Sequence, residues 1–150
     1  MGEESWHEGD RQPRDPRGRP ASPQRLATTK STLGTLTFVP TTPPLLAVRL
    51  RRGKVQLLDA QTHSEVTTFF VKGKTAIVAM AASPNHLAFA LQGGALEVWT
   101  ATSPRRLDRL DLGSPHDRPV SLAFSAKGDK LAVGTSRGQI SIFDLSGLAR

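Results

Sequence analysis

The stretch KLAVGTSRGQISIFDL occupies residues 130–145. Leu131 and Val133 alternate with small residues, Arg137-Gly138 interrupts them, and Ile140 and Ile142 resume the alternation before Phe143-Asp144. A period of two marks a strand with one face toward a core. Glycine between two such runs marks a tight turn, because hairpin loops often demand a positive φ that costs a residue with a Cβ about 1 kcal/mol or more. The stretch therefore reads as a β-hairpin.

Two further stretches align with it without gaps: LLAVRLRRGKVQLLDA at 45–60 and HLAFALQGGALEVWTA at 86–101. Leu46, Leu87 and Leu131 each stand seven residues before Gly53, Gly94 and Gly138, and each glycine stands five residues before Leu58, Trp99 and Phe143. The glycines fall 41 and 44 residues apart. Two spacings kept three times over define an internal repeat, which a β-sandwich does not produce.

Working outward, another alternating run precedes each hairpin: Leu36-Thr37-Phe38, Ile77 to Met80, and Val120 to Phe124. Turn formers link these runs to the hairpins at Thr42-Pro43-Pro44, Ser83-Pro84-Asn85 and Lys127-Gly128-Asp129. A further strand follows the first two hairpins, from Glu65 to Val71 and from Arg105 to Leu112. Each unit is thus a four-stranded antiparallel meander of 40–45 residues, the third being cut short.

A first strand ending in Phe124-Ser125, the turn Ala126 to Asp129, and LAVGTSRGQISIFD at 131–144 resemble a WD-repeat blade of a β-propeller. The resemblance spans residues 34–147 and is clearest in the third repeat. The dipeptide that names the family appears as Leu58-Asp59, Trp99-Thr100 and Phe143-Asp144, and the acidic residue usual in the middle turn is replaced by Arg52, Gly93 and Arg137. Only His116 stands near the place of the family's structural histidine. The buried Asp–His–Ser–Trp network of the family is therefore incomplete in every repeat, and packing between blades is expected to be more purely apolar. The resemblance implies an all-β chain: a partial β-propeller of about three four-stranded antiparallel blades behind a disordered N-terminal tail. The expected divisions are a tail at 1–24 and blades over 25–150, with blade 1 at 34–71, blade 2 at 75–112 and an incomplete blade 3 at 119–147.

Propellers close with four to eight blades. Three completions are open: the chain is a fragment or short isoform of a longer propeller, two chains pair to make six blades, or another protein completes the ring. With two chains, Arg25 to Lys30 would be available as the missing outer strand.

Residues 1–24 hold Pro13, Pro16, Pro20 and Pro23 among arginines, with Trp6 as the one large apolar side chain, too little to offset the entropy of ordering. The net charge of +7 is spread along the chain rather than concentrated, which favours acidic partners of any kind. No apolar run approaches the roughly 18–20 residues of a membrane-spanning helix. The opening MGEESWHEGDRQPRD matches neither a signal peptide nor a transit helix. With no cysteine in the chain, disulfides, thiol nucleophiles and cysteine-ligated zinc are excluded. The expected setting is intracellular, cytoplasmic or nuclear.

No catalytic constellation emerges. His7, His63, His86 and His116 occupy non-equivalent places, no G-x-S-x-G occurs, and Gly93-Gly94 and Gly73 lack the strand–loop–helix context of a phosphate loop. Asp59 and Asp144 stand at strand ends, where a carboxylate caps a turn. The expectation is a protein that is not an enzyme and carries no cofactor or metal. One candidate site follows from the meander itself. Loops after the second and fourth strands of a blade share one end, and that end collects Arg51, Arg52 and Lys54, then Lys72 and Lys74, then Arg118 and Arg137. Such a basic face suits an acidic peptide of another protein, or alternatively a phosphate-bearing ligand such as an anionic lipid surface or a nucleic-acid backbone. Phosphoinositide-binding propellers carry a similar LRRG string between blades, whereas Leu50 to Gly53 lies inside a hairpin here. Nucleic acid is a weaker alternative, since no aromatics interleave the basic loops for stacking.

Overall fold

The computed structural model describes residues 34–111 and 116–148. Eleven strands run in chain order: β1 (Leu36–Val39), β2 (Leu45–Arg49), β3 (Lys54–Asp59), β4 (Glu65–Phe70), β5 (Ile77–Ala82), β6 (His86–Leu91), β7 (Ala95–Thr100), β8 (Arg106–Asp111), β9 (Pro119–Phe124), β10 (Lys130–Thr135) and β11 (Ile140–Asp144). They form three antiparallel sheets, β1-β2-β3-β4, β5-β6-β7-β8 and β9-β10-β11, each a meander in chain order. The chain is an all-β partial propeller, with two complete blades and a third of three strands among the described residues. The tail at 1–24 and the strand candidate at 25–30 lie outside the described residues.

The repeated spacings become repeated registers. Leu46 faces Leu58, Leu87 faces Trp99, and Leu131 faces Phe143 across the middle hairpins. Gly53, Gly94 and Gly138 all take positive φ, at 73°, 103° and 92°. At Gly53 space is short as well: a Cβ would stand 2.5 Å from Val71 Cγ2 and 2.6 Å from the Thr75 carbonyl oxygen.

The strand that begins each blade packs beside its neighbours, with β5 touching both β1 and β9. Between blades 1 and 2 lies a core that includes Val39, Ala47, Leu57, Leu87, Phe89 and Leu91. Phe69 closes it against Trp99, ring centroids 4.6 Å apart, and meets Phe89 edge-on at 6.0 Å. Between blades 2 and 3 lies a second core of Ala88, Leu96, Val98, Leu131, Val133 and Leu145. Blade 2, covered on both faces, has β6 buried at every position, so no alternation survives there. This is how a one-faced sheet solves its burial problem in this architecture: each blade shields its neighbour.

The residues after the middle hairpins act as turn caps. Asp59 Oδ1 accepts hydrogen bonds from the backbone N–H groups of Gln61 (2.7 Å) and Thr62 (2.9 Å). Asp144 Oδ1 accepts from the Ser146 amide (2.9 Å) and hydroxyl (2.7 Å). Thr100 serves blade 2, its hydroxyl donating to the Ser103 carbonyl at 2.6 Å and accepting from the Arg105 amide at 2.9 Å.

Candidate functional site

The basic loops are built by two short 3-10 turns, Arg51–Gly53 and Lys72–Lys74. The first reverses the chain between β2 and β3, so Leu50 to Gly53 sits within the middle hairpin of blade 1. The second carries the chain from β4 into blade 2. The Val71 amide donates to the Gly53 carbonyl at 2.9 Å, which locks the two turns together. Arg52 and Lys74 both adopt left-handed backbone, φ 61° and 54°, a conformation uncommon outside glycine. Lys74 Nζ stands 5.2 Å from the centroid of Phe70, a cation–π contact that holds the ammonium at this end of the blade.

Beside these turns lies an open groove of about 220 Å³ in which Arg49, Arg51 and Arg52 stand among Leu50, Ala76 and Ile77. Arg49 was not part of the basic face expected from the sequence. Its Nη1 donates to the Ile77 carbonyl across the joint between blades 1 and 2. Arg51, Arg52, Lys72 and Lys74 form no ion pair with a carboxylate among the described residues. Lys54 differs, since its charge lies near Glu65.

Arg118 and Arg137 form a second group, held by the Ser136 amide donating to the Arg118 carbonyl at 2.9 Å and the Arg118 amide donating to Ser136 Oγ at 3.2 Å. Asp117 joins them, accepting from the Arg137 amide at 3.0 Å. The Thr135 hydroxyl, then the Arg137 amide and charge, hold the Asp117 carboxyl below its ordinary pKa. This second group is therefore partly neutralised. Between the two groups lies the uncharged turn of blade 2, Gln92 to Gly94. The face expected as one basic surface is two clusters, of which the first keeps its charge.

Packing between blades, expected to be more purely apolar than in the family, includes a buried carboxylate, Glu97. This carboxylate is fully buried in β7, where its Oε1 accepts from the Trp99 indole N–H at 2.9 Å. Its Oε2 accepts from Arg109 Nη1 at 2.7 Å and from the Lys72 amide at 3.3 Å, with Arg106 Nη1 at 3.6 Å. Glu97 and Arg109 are directly paired in the β7–β8 register. The cluster links blade 2 to the second basic turn, and so sets where that turn sits. His116, near the family's histidine position, is exposed. Among the described residues the buried histidine is instead His86, stacked at 6.4 Å on Phe124 of blade 3.

Among the described residues, no group of three or more His, Cys, Asp or Glu side chains could hold a metal ion. Among them too, no helix is long and apolar enough to cross a membrane.

No protein-family model and no curated protein matches the chain. Among solved structures, the chain is similar to one chain in the crystal structure of the mitotic checkpoint complex, with a TM-score of 0.65 and 18% sequence identity. That likeness covers 80% of this chain and spans 36% of the length of the other. At this identity the likeness is one of fold, and it agrees with the strand order above in defining an arc of a β-propeller.

Proposed function

We propose that the chain is a non-catalytic scaffold that binds an acidic segment of another protein through the first basic cluster, and that it works inside the cell, in the cytoplasm or nucleus. The observation that carries this reading is the groove where Arg49, Arg51 and Arg52 meet Leu50, Ala76 and Ile77, flanked by lysines with no carboxylate partner among the described residues. A cationic rim over an apolar floor fits a peptide carrying both carboxylates and apolar side chains. The similarity to a chain of the mitotic checkpoint complex, a protein assembly, supports a role in protein association.

The test is fluorescence anisotropy with three probes: a Glu/Leu-rich peptide, a single-stranded RNA oligonucleotide and vesicles containing a phosphoinositide. The peptide should bind, weaken as salt rises, and lose at least tenfold in affinity when Arg51, Arg52, Lys72 and Lys74 are all replaced by Glu. Replacing Arg118 and Arg137 should change affinity less than threefold. Tighter binding of RNA or vesicles than of the peptide overturns the reading in favour of a phosphate-rich ligand.

A further inference from the structure

Between β4 and β5 the chain reads Val71-Lys72-Gly73-Lys74-Thr75-Ala76, so Thr75 has lysines three and one residues before it. Among the described residues one other hydroxyl has a basic residue three before it, Ser121 after Arg118. Ser121 lies inside β9 and is paired with Gly134, which holds its backbone in the sheet. Thr75 lies outside any strand, with φ −78° and ψ 144°, directly after the second basic turn. That turn has left-handed backbone at Gly73 and Lys74, φ 73° and 54°, and the second strains a residue with a Cβ. It is closed by the Lys74 amide donating to the Val71 carbonyl at 3.1 Å. A short, strained surface turn of this kind opens locally at low cost, as an enzyme acting on it requires.

The Thr75 hydroxyl borders open space. It donates to the Lys72 carbonyl at a long 3.3 Å, and a Cβ placed on Gly73 would have this hydroxyl as its near neighbour, at 3.3 Å. The other side of Thr75 is packed, its carbonyl oxygen lying against Gly53 and so against the Arg51-Arg52 turn. Ala76 and Ile77, the next two residues, line the groove that holds Arg49, Arg51 and Arg52. One accessible hydroxyl thus stands between the lysine turn and the arginine groove.

We infer that Thr75 is a phosphorylation site and that its phosphate switches the first basic cluster off. The co-reactant is ATP, used by a protein kinase that selects basic residues before its target. The γ-phosphorus bonds to Thr75 Oγ1 as its bond to the bridging oxygen breaks, ADP leaves, and the hydroxyl proton passes to a base of the kinase. The product carries a charge of about −1.5 to −2 at pH 7 and three strong acceptor oxygens. Set beside Lys72, Lys74 and the Arg51-Arg52 turn, it occupies the cations that an acidic peptide would use. The inference rests on the peptide-binding reading above and adds its regulation.

The experiment incubates the full chain with ATP and a panel of basophilic protein kinases and locates the modified residue by mass spectrometry. Phosphate should appear on Thr75, and that segment should stay unmodified in Thr75→Val, which keeps the branched shape without the hydroxyl. The Glu/Leu-rich peptide is then titrated by anisotropy. The phosphorylated chain should bind about fivefold more weakly or worse, Thr75→Glu, with its single charge, about two- to threefold more weakly, and Thr75→Val within about twofold of wild type. The second phosphate pKa is about 6, so the deficit of the phosphorylated chain should grow as pH rises from about 5.5 to about 7.5. A panel that leaves Thr75 unmodified overturns the inference and leaves the peptide reading intact, as does a phosphorylated chain that binds like the unmodified one. A deficit that stays constant across that pH range overturns it too, since the loss would then come from shape and not from charge. Failure of the unmodified chain to bind the peptide removes the peptide reading, and this inference with it.

Discussion

Replacing Glu97 by Ala removes the acceptor for three donors at once, and the structure sets the scale. The Trp99 indole N–H is half-buried and loses a 2.9 Å bond, at about 1 kcal/mol. The Lys72 amide loses a longer bond, at about 0.5 kcal/mol. Arg109 loses a charge-assisted bond, discounted to about 1 kcal/mol because its side chain is 29% exposed and can rehydrate. With the small cavity left behind, Glu97→Ala should cost about 3 kcal/mol. Glu97→Gln keeps an acceptor for Trp99 and should cost about half as much. Arg109→Met should be as costly as Glu97→Ala, because it leaves a fully buried carboxylate with Arg106 at 3.6 Å as its one remaining cationic partner among the described residues. Urea unfolding followed by circular dichroism, with slopes checked for constancy, measures all three. A cost below about 1 kcal/mol for Glu97→Ala, or Arg109→Met milder than Glu97→Gln, would refute the claim that this cluster pins blade 2 to the Lys72 turn.

Two further predictions use the same assay. Gly53→Ala should cost about 3 kcal/mol, since it adds a clash with Val71 and Thr75 to the positive-φ penalty, whereas Gly138→Ala, at φ 92° with open space around it, should cost only about 1 kcal/mol; equal losses would show that crowding at Gly53 relaxes freely. Asp59, Asp117 and Asp144 are all held below their ordinary carboxylate pKa, Asp59 and Asp144 chiefly by hydrogen bonds from their own turns and Asp117 chiefly by the Thr135 hydroxyl. Depressed values mean stability that is present above the unfolded carboxylate pKa of about 4 and is lost as pH falls through the folded values below it. The triple Asn variant should therefore flatten the acid limb of stability against pH, and an unchanged limb would assign acid sensitivity to other groups.

What could be read from the letters was whatever chain-local geometry dictates. A turn that needs positive φ shows itself as glycine, and a strand with one covered face shows itself as alternation, so the middle hairpins at Gly53, Gly94 and Gly138 were legible. The turn-capping role of Asp59 and Asp144 was legible for the same reason, since a carboxylate two or three residues from free amides has few other uses. Glu97 was not. It sits in ALEVWT, a strand covered on both faces, where period-two reasoning has nothing to count. Its meaning depends on Arg109 twelve residues away and on the Lys72 turn of the preceding blade. A charged residue two before a tryptophan, on the same strand face, was the available signal. Arg49 was missed because its groove exists only once Ile77 arrives from blade 2. The basic face was overdrawn for a related reason: topology places residues at one end of a sheet, but it does not say that Asp117 will sit beside Arg137 or that Gln92 to Gly94 will separate the clusters.

Every hydrogen-bonded strand pair in the three sheets joins neighbours in sequence, so the contacts that form first are those of shortest loop closure. A growing chain can complete β1 to β4 before any residue of β5 to β8 is needed for pairing. Yet the side chains that make the sheet worth keeping, Phe69 against Trp99 and Leu57 within the shared core, meet only when the next blade has been added. Secondary structure thus runs one blade ahead of stability, which accrues joint by joint rather than strand by strand. Amide exchange should be slowest in β6, which is buried at every position between its two neighbouring blades.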